Sequence, residues 1–296
     1  MLARLDPAIR LVVSGHTHHA YVCEVPASDG NPRLLTSAGR YGFFVTEIEL
    51  RVDPRGGVTS VDAVNRPVAG VNGEQPDIAA LVARYAQDVA QEAAKVIGRI
   101  DGSISPPPGA FYRPIDRLVA DAQLAATRAP DEGGAQFALM NYGGIRTTFE
   151  PGPDGSVTYG QGFALQPFGN TLSVVELSGA ELIAGLEAAL AAATPATARA
   201  RLLVPSHNLR YAFDLSRPAG SRLLGITLDG GPLDPAVAYR VTVNNFIAAG
   251  GDGFAFLAAA RPVAGGGLDL DALAAYLARG VAAPAEARVE DRTPAN

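Results

Sequence analysis

Two histidines stand one residue apart at the end of a short apolar run, Val12-Val13-Ser14-Gly15-His16-Thr17-His18. On extended backbone, alternate side chains share a side, so His16 and His18 can each hold a metal ion. In two-metal hydrolases the ions lie about 3.5–4 Å apart and clamp a phosphoryl group between them. A dinuclear site also needs carboxylates, and Asp6 is the only acid before His16. A mononuclear set of His16, His18, His19 and Cys23 matches no structural zinc spacing. Further along, Asn141-Tyr142-Gly143-Gly144-Ile145-Arg146 combines glycines that let the backbone approach a ligand with an arginine fork suited to phosphate or carboxylate. Alone, such a stretch would be a surface turn. Arg113 and Arg117 flank the expected start of a helix, a favourable place for an anion.

Three more stretches bear on these. Gln166-Pro167-Phe168-Gly169-Asn170-Thr171 and Asn244-Asn245-Phe246-Ile247-Ala248-Ala249-Gly250-Gly251-Asp252-Gly253-Phe254 each set a phenylalanine among glycines, and Ala38-Gly39-Arg40-Tyr41-Gly42 follows the histidines. Together these segments resemble the 5'-nucleotidase family. The histidine segment is similar to the last metal-binding motif of its calcineurin-like metallophosphatase domain, and the rest to its C-terminal domain. The match to Asn-Gly-Gly-Gly-Ile-Arg has Tyr142 in place of one glycine. Tyr112 to Ala122 resembles the family's helix-opening Glu-Ser-Pro-Leu-Gly-Asn-Leu segment more loosely.

The resemblance implies metal-dependent hydrolysis of nucleotide phosphoesters, with a divalent metal pair of the Zn, Mn or Co type as cofactor. It implies that Phe168 and Phe246 sandwich a nucleobase and that Asp252 bonds the ribose hydroxyls, with Asn141 in the same substrate site. An aromatic clamp contributes about 1–3 kcal/mol per stacked base. Arg146, with Arg113 or Arg117, would neutralise the substrate's charge, and His16 and His18 would be metal ligands. The family's Asp-x-His, Gly-Asp-x-x-Asp and Gly-Asn-His motifs, which supply the remaining ligands and the catalytic Asn-His pair, do not occur in this sequence. The expectation is therefore a truncated nucleotidase that recognises base and ribose, has no catalytic residue of its own and is inactive alone. Alternatives are a non-catalytic nucleotide-binding module, with or without a separate upstream half-domain, and a hydrolase of cyclic nucleotides or nucleotide sugars. A full-length relative would be periplasmic or secreted.

The elements that must position these residues read as α+β. Strands are expected at Leu11–Ser14, Leu34–Ser37 and Phe43–Val52, the last closed by the turn Asp53-Pro54-Arg55-Gly56-Gly57. Ile78, Leu81, Val82, Tyr85, Val89 and Val96 fall on one stripe of a helix over Asp77–Ile97, with Gly98 as its stop. The stiff Pro106-Pro107-Pro108 follows. A second helix is expected at Ile115–Thr127, and others at Gly179–Ala192 and Leu268–Arg279. The strands among them are 137–140, 172–177, 202–204, 209–213, 223–228 and 239–243. Without regular βαβ alternation, α+β fits better than a doubly wound sheet. The expected organisation is a β-rich remnant of an αββα metallophosphoesterase sandwich (1–75), a linker helix (76–98) and a nucleotidase C-terminal domain (99–296).

Bulk properties narrow the field. Hydrophobic residues at 48% and charged ones at 18% supply a core and exclude extensive disorder. A net charge of −6 with interspersed signs gives no footprint for nucleic acid or for an anionic membrane. The single cysteine, Cys23, excludes an intrachain disulfide. No apolar run reaches the ~18–20 residues that span a bilayer, and the first residues do not form a secretory signal. The partner expected is a nucleotide or nucleoside.

Overall fold

The computed structural model describes residues 2–68 and 74–294. The chain divides into two compact units, Met1–Tyr85 and Ala86–Asn296.

The first unit is mostly β. Its strands are β1 (Leu11–Val13), β2 (Ala20–Pro26), β3 (Pro32–Ala38), β4 (Phe44–Val52) and β5 (Val58–Pro67). They form a three-stranded sheet in the order β1-β3-β2 and a two-stranded hairpin of β4 and β5. The hairpin turn is set by Asp53, whose carboxylate accepts from the N–H groups of Arg55 and Gly57 at 2.7 and 2.9 Å. Strand β1 is an edge, paired in parallel with β3 alone. The unit buries little apolar surface, and the fully enclosed side chain at its centre is Arg33. That guanidinium donates to the carbonyls of Ile9, Leu2 and Asp6 at 2.7–2.8 Å, and to Leu5 at 3.3 Å.

Helix α1 (Pro76–Ala93) follows, shorter than the expected Asp77–Ile97. Val96 does not continue its stripe, because Val96–Asp101 forms β6. Gly98, expected as a helix stop, lies inside this strand. A Cβ there would come within 2.1 Å of the Leu277 carbonyl carbon, so the glycine admits a close backbone approach instead.

In the second unit come α2 (Pro114–Thr127), β7 (Phe137–Asn141), β8 (Ser156–Thr158), α3 (Tyr159–Leu165), β9 (Thr171–Ser178) and α4 (Gly179–Ala191). Next are α5 (Ala198–Arg201), β10 (Leu203–Pro205), β11 (Leu209–Phe213), β12 (Leu223–Leu228), β13 (Gly231–Pro232) and β14 (Ala238–Asn244). The unit ends with α6 (Asn245–Ala248), α7 (Ala255–Ala258), β15 (Arg261–Leu268), α8 (Asp269–Leu277), β16 (Val281–Ala282) and β17 (Val289–Asp291). A mixed five-stranded sheet, β10-β7-β14-β9-β15, forms the centre. Strand β7 is parallel to β14, which is antiparallel to β9. Helix α2 packs on β7 and α8, and α4 on β9 and β12, enclosing Leu118, Phe137, Leu139, Leu182, Leu186, Val241 and Leu273.

Local sequence explains the helix starts. Pro114 occupies the first turn of α2, and the Arg113 N–H donates to Asp116 at 2.8 Å, closing a capping box. Ser178 and Glu181 do the same for α4. The chain is α+β, as the mixture of periods predicts.

Candidate functional site

Sheet order places the two phenylalanines. Asn244, the last residue of β14, pairs in register with Leu172, the second of β9. Phe168 lies four residues before Leu172 and Phe246 two after Asn244, so both rings leave the sheet at the same end. The two loops are bonded directly, Thr171 N–H donating to Asn245 Oδ1 at 3.2 Å. Asn141 ends β7, the other neighbour of β14, and its motif arrives at that same end.

The rings are not core residues. Phe168 is 55% and Phe246 43% exposed, whereas Phe137, Phe213 and Phe254 are buried. The Phe246 ring lies over Gly251, where a Cβ would meet ring carbons at 2.5 Å. Asp252 follows in left-handed backbone at φ 56°, between Gly250 (φ 87°) and Gly253 (φ 88°). Its exposed carboxylate is aimed by Asn141, whose Nδ2 donates at 2.7 Å. Asn141 is itself fixed by Asn244 Nδ2, which donates to its Oδ1 at 2.8 Å, while Asn244 Oδ1 caps α6 at the Ile247 N–H. Asn141 is thus 2% exposed and orients Asp252. A cavity of about 170 Å³ beside Asp252 is lined by Gly253, Phe254, Phe256, Arg201 and the alanine face of α4.

The arginines separate. Arg146 stands over the Phe168 ring at 5.5 Å, and its backbone N–H donates to the Leu165 carbonyl, tying its loop to the Phe168 loop. Arg113 stands over Tyr142 at 5.5 Å, with its guanidinium committed to the enclosed Asp116 at 2.7–3.2 Å. Arg117 does not join them. One helical turn further on, it is 3% exposed and donates to the Glu286 carbonyl in the C-terminal segment. The roles of Asn244 and Asn245 have no counterpart in the sequence reading. Their motif is visible there, but which amide orients which carboxylate depends on strand register.

In the first unit, His16 (φ 67°) and His18 (φ 60°) adopt left-handed backbone in a bend, not the extended conformation expected. Such φ values are uncommon outside glycine and mark a specified turn. The ring of His18 lies 5.9 Å from Tyr41, and Gly39 packs against Ala20, so the two N-terminal motifs are neighbours. Among the described residues no three His, Cys, Asp or Glu side chains are grouped to hold a metal ion. Two imidazoles fall short of the four ligands a zinc ion takes, so the residues present do not by themselves fit the implied metal pair.

This geometry of sheet-end loops carrying paired phenylalanines and a propped aspartate defines a class, and comparison with known proteins agrees. Residues 110–259 match the family model "5'-nucleotidase, C-terminal domain". The chain belongs to the 5'-nucleotidase family. It is 27% identical over 271 residues to the trifunctional nucleotide phosphoesterase protein YfkN of Bacillus subtilis, covering 86% of this chain and 17% of that protein. It is 25% identical to human 5'-nucleotidase over 287 residues, 86% of this chain and 49% of that one. The crystal structure of a 5'-nucleotidase precursor from Thermus thermophilus is similar at 31% identity and a TM-score of 0.66, covering 96% of this chain and 60% of that one. The chain thus spans half or less of the length of these two curated relatives.

Proposed function

We propose that this chain recognises the nucleoside portion of a nucleotide for a 5'-nucleotidase-type phosphoester hydrolysis. The base would lie between Phe168 and Phe246, and the ribose hydroxyls would donate to Asp252, which Asn141 holds in place. Arg146 would face the phosphate side, with Arg113 contributing field from its pair with Asp116. Arg117, committed to the C-terminal segment, has no part in this reading. The observation that carries it is the pair of exposed rings at one sheet end beside an aspartate aimed by a buried amide. Exposure of two large apolar rings costs solvation unless a flat ligand covers them.

His16 and His18 would be two ligands of a divalent metal pair, which in this chemistry polarises the phosphoryl group. The sequence contains neither the family's remaining ligand motifs nor its Asn-His pair, so residues 1–296 alone are proposed to bind without turnover. The name of YfkN, a nucleotide phosphoesterase, accords with a nucleotide substrate, and that of a matching cell wall protein of Listeria monocytogenes with an extracytoplasmic setting.

Titration calorimetry with adenosine tests the site. Phe168→Ala and Phe246→Ala should each weaken binding about 5- to 150-fold, the equivalent of about 1–3 kcal/mol. Unchanged affinity in both variants would remove the clamp. Enzyme-like release of phosphate from AMP by the chain with Mn²⁺ would overturn the binding-only reading without touching recognition.

A further inference from the structure

Arg117 is an anomaly outside the nucleoside site. Its side chain is almost wholly enclosed, and one end of its guanidinium, Nη1, donates to the Glu286 carbonyl. The other two nitrogens, Nε and Nη2, are buried and have no hydrogen-bond partner. These two N–H groups share one edge of the guanidinium and form a fork matched to the two oxygens of a carboxylate.

No neighbouring side chain serves that edge. The carboxylate of Asp121 is taken by Arg288 at 2.7 and 2.8 Å, that of Glu286 by Arg288 at 3.0 Å, and that of Asp116 by Arg113 at 2.7 Å. Burial, and next the charge of Arg288, hold the Arg117 guanidinium below its ordinary pKa, which is the electrostatic mark of a cation short of anions. Arg117 forms part of the wall of a cavity of about 200 Å³ between the Pro107–Tyr112 segment and the chain around Ala285–Val289. Water's share of liquid volume is about 30 Å³, so the space exceeds what one solvent molecule fills. Its other walls are largely apolar, with Pro107, Ala110, Phe111, Ala287 and Val289 among them. Neither Phe168, Phe246 nor Asp252 lines it.

We propose that this cavity binds a small aliphatic monocarboxylate, its two oxygens on the Nε–Nη2 edge of Arg117 and its hydrocarbon tail against the alanine and proline walls. A carboxylate fits better than a phosphate. Two oxygens match the fork, whereas the remaining phosphate oxygens would be left against apolar walls without donors.

The test uses the full chain, with butyrate as probe and inorganic phosphate and chloride as controls at matched ionic strength. Expected are saturable one-to-one binding of butyrate by calorimetry and a rise in Tm absent with chloride. Arg117→Gln should abolish both. Ala287→Leu keeps the guanidinium and fills the cavity, and it should raise the butyrate Kd at least tenfold while leaving adenosine binding unchanged. This second variant decides the matter if the first fails to fold. Absence of saturable butyrate binding to the wild-type chain overturns the proposal, as does butyrate binding that survives Ala287→Leu. Tighter binding of phosphate than of butyrate overturns the carboxylate assignment.

Discussion

At the scale of single residues, the carboxyl of Asp269 has the clearest electrochemical consequence. It is 1% exposed and opens α8, its N–H donating to the Asn170 carbonyl in the Phe168 loop. Burial pushes the carboxyl up to about 6, offset only in part by the Leu270 N–H and the amides of Asn170 and Gln166. A raised folded pKa means that the native state holds a proton which the unfolded chain gives up near the ordinary value of 3.8. Stability should therefore fall as pH rises from about 4 to 6, losing on the order of 2–3 kcal/mol. Asp269→Asn removes the ionisation, so its Tm should exceed that of the wild type at pH 7.5 and converge with it near pH 4.5. A constant difference between the two proteins across this range would refute the assignment. Gly251 offers a second residue-scale test. A methyl group there would displace the Phe246 ring, so Gly251→Ala should weaken adenosine binding several-fold while the melting temperature hardly moves. Equal affinity would mean that the ring position is unimportant.

At the scale of elements, much was legible because it is local. The alternation in Phe44–Val52, the Asp53 turn, and the capping boxes that open α2 and α4 are written in consecutive residues, and the structure has them within a residue or two. What could not be read is what other elements decide. Val96 fits a helical stripe, yet it starts β6 because β8 and β16 offer pairing partners there. Strand β15 contains Gly265-Gly266-Gly267 and has no strand-like composition, and only its ladder with β9 makes it one. Likewise the phenylalanine motifs were visible, while the bonds Asn141–Asp252 and Asn245–Thr171 join residues remote in sequence. Arg117 read as a ligand contact because its side chain's direction depends on the distant C-terminal segment. Gly98 gives this scale its prediction. With backbone of α8's last residue pressed against it, Gly98→Ala should destabilise the second unit by roughly 1–3 kcal/mol, measured by urea denaturation. Had the glycine served as a helix stop, alanine would be nearly neutral.

At the scale of the molecule, the two units differ in what holds them together. The large buried cluster runs from Ile100 to Val289 and lies wholly within the second unit, together with Phe168, Phe246, Asp252 and the asparagines that position them. In the first unit only Ala27 and Leu34 are buried apolar side chains among the described residues, and its centre is Arg33 bonded to four carbonyls. Hydrogen bonds to a charged donor contribute about 1.5–3 kcal/mol each, but they are matched by the cost of taking the guanidinium out of water, whereas apolar burial carries no such offset. Stability and ligand recognition should therefore reside in the same half of the chain. Residues 86–296 expressed alone should unfold in one cooperative transition and bind adenosine within about threefold of the full chain's affinity. Residues 1–85 alone should show no cooperative melt by circular dichroism. If the 86–296 fragment folds but has lost adenosine binding, the recognition site needs residues that the first unit supplies, and the assignment of base and ribose contacts to the sheet-end loops alone is wrong.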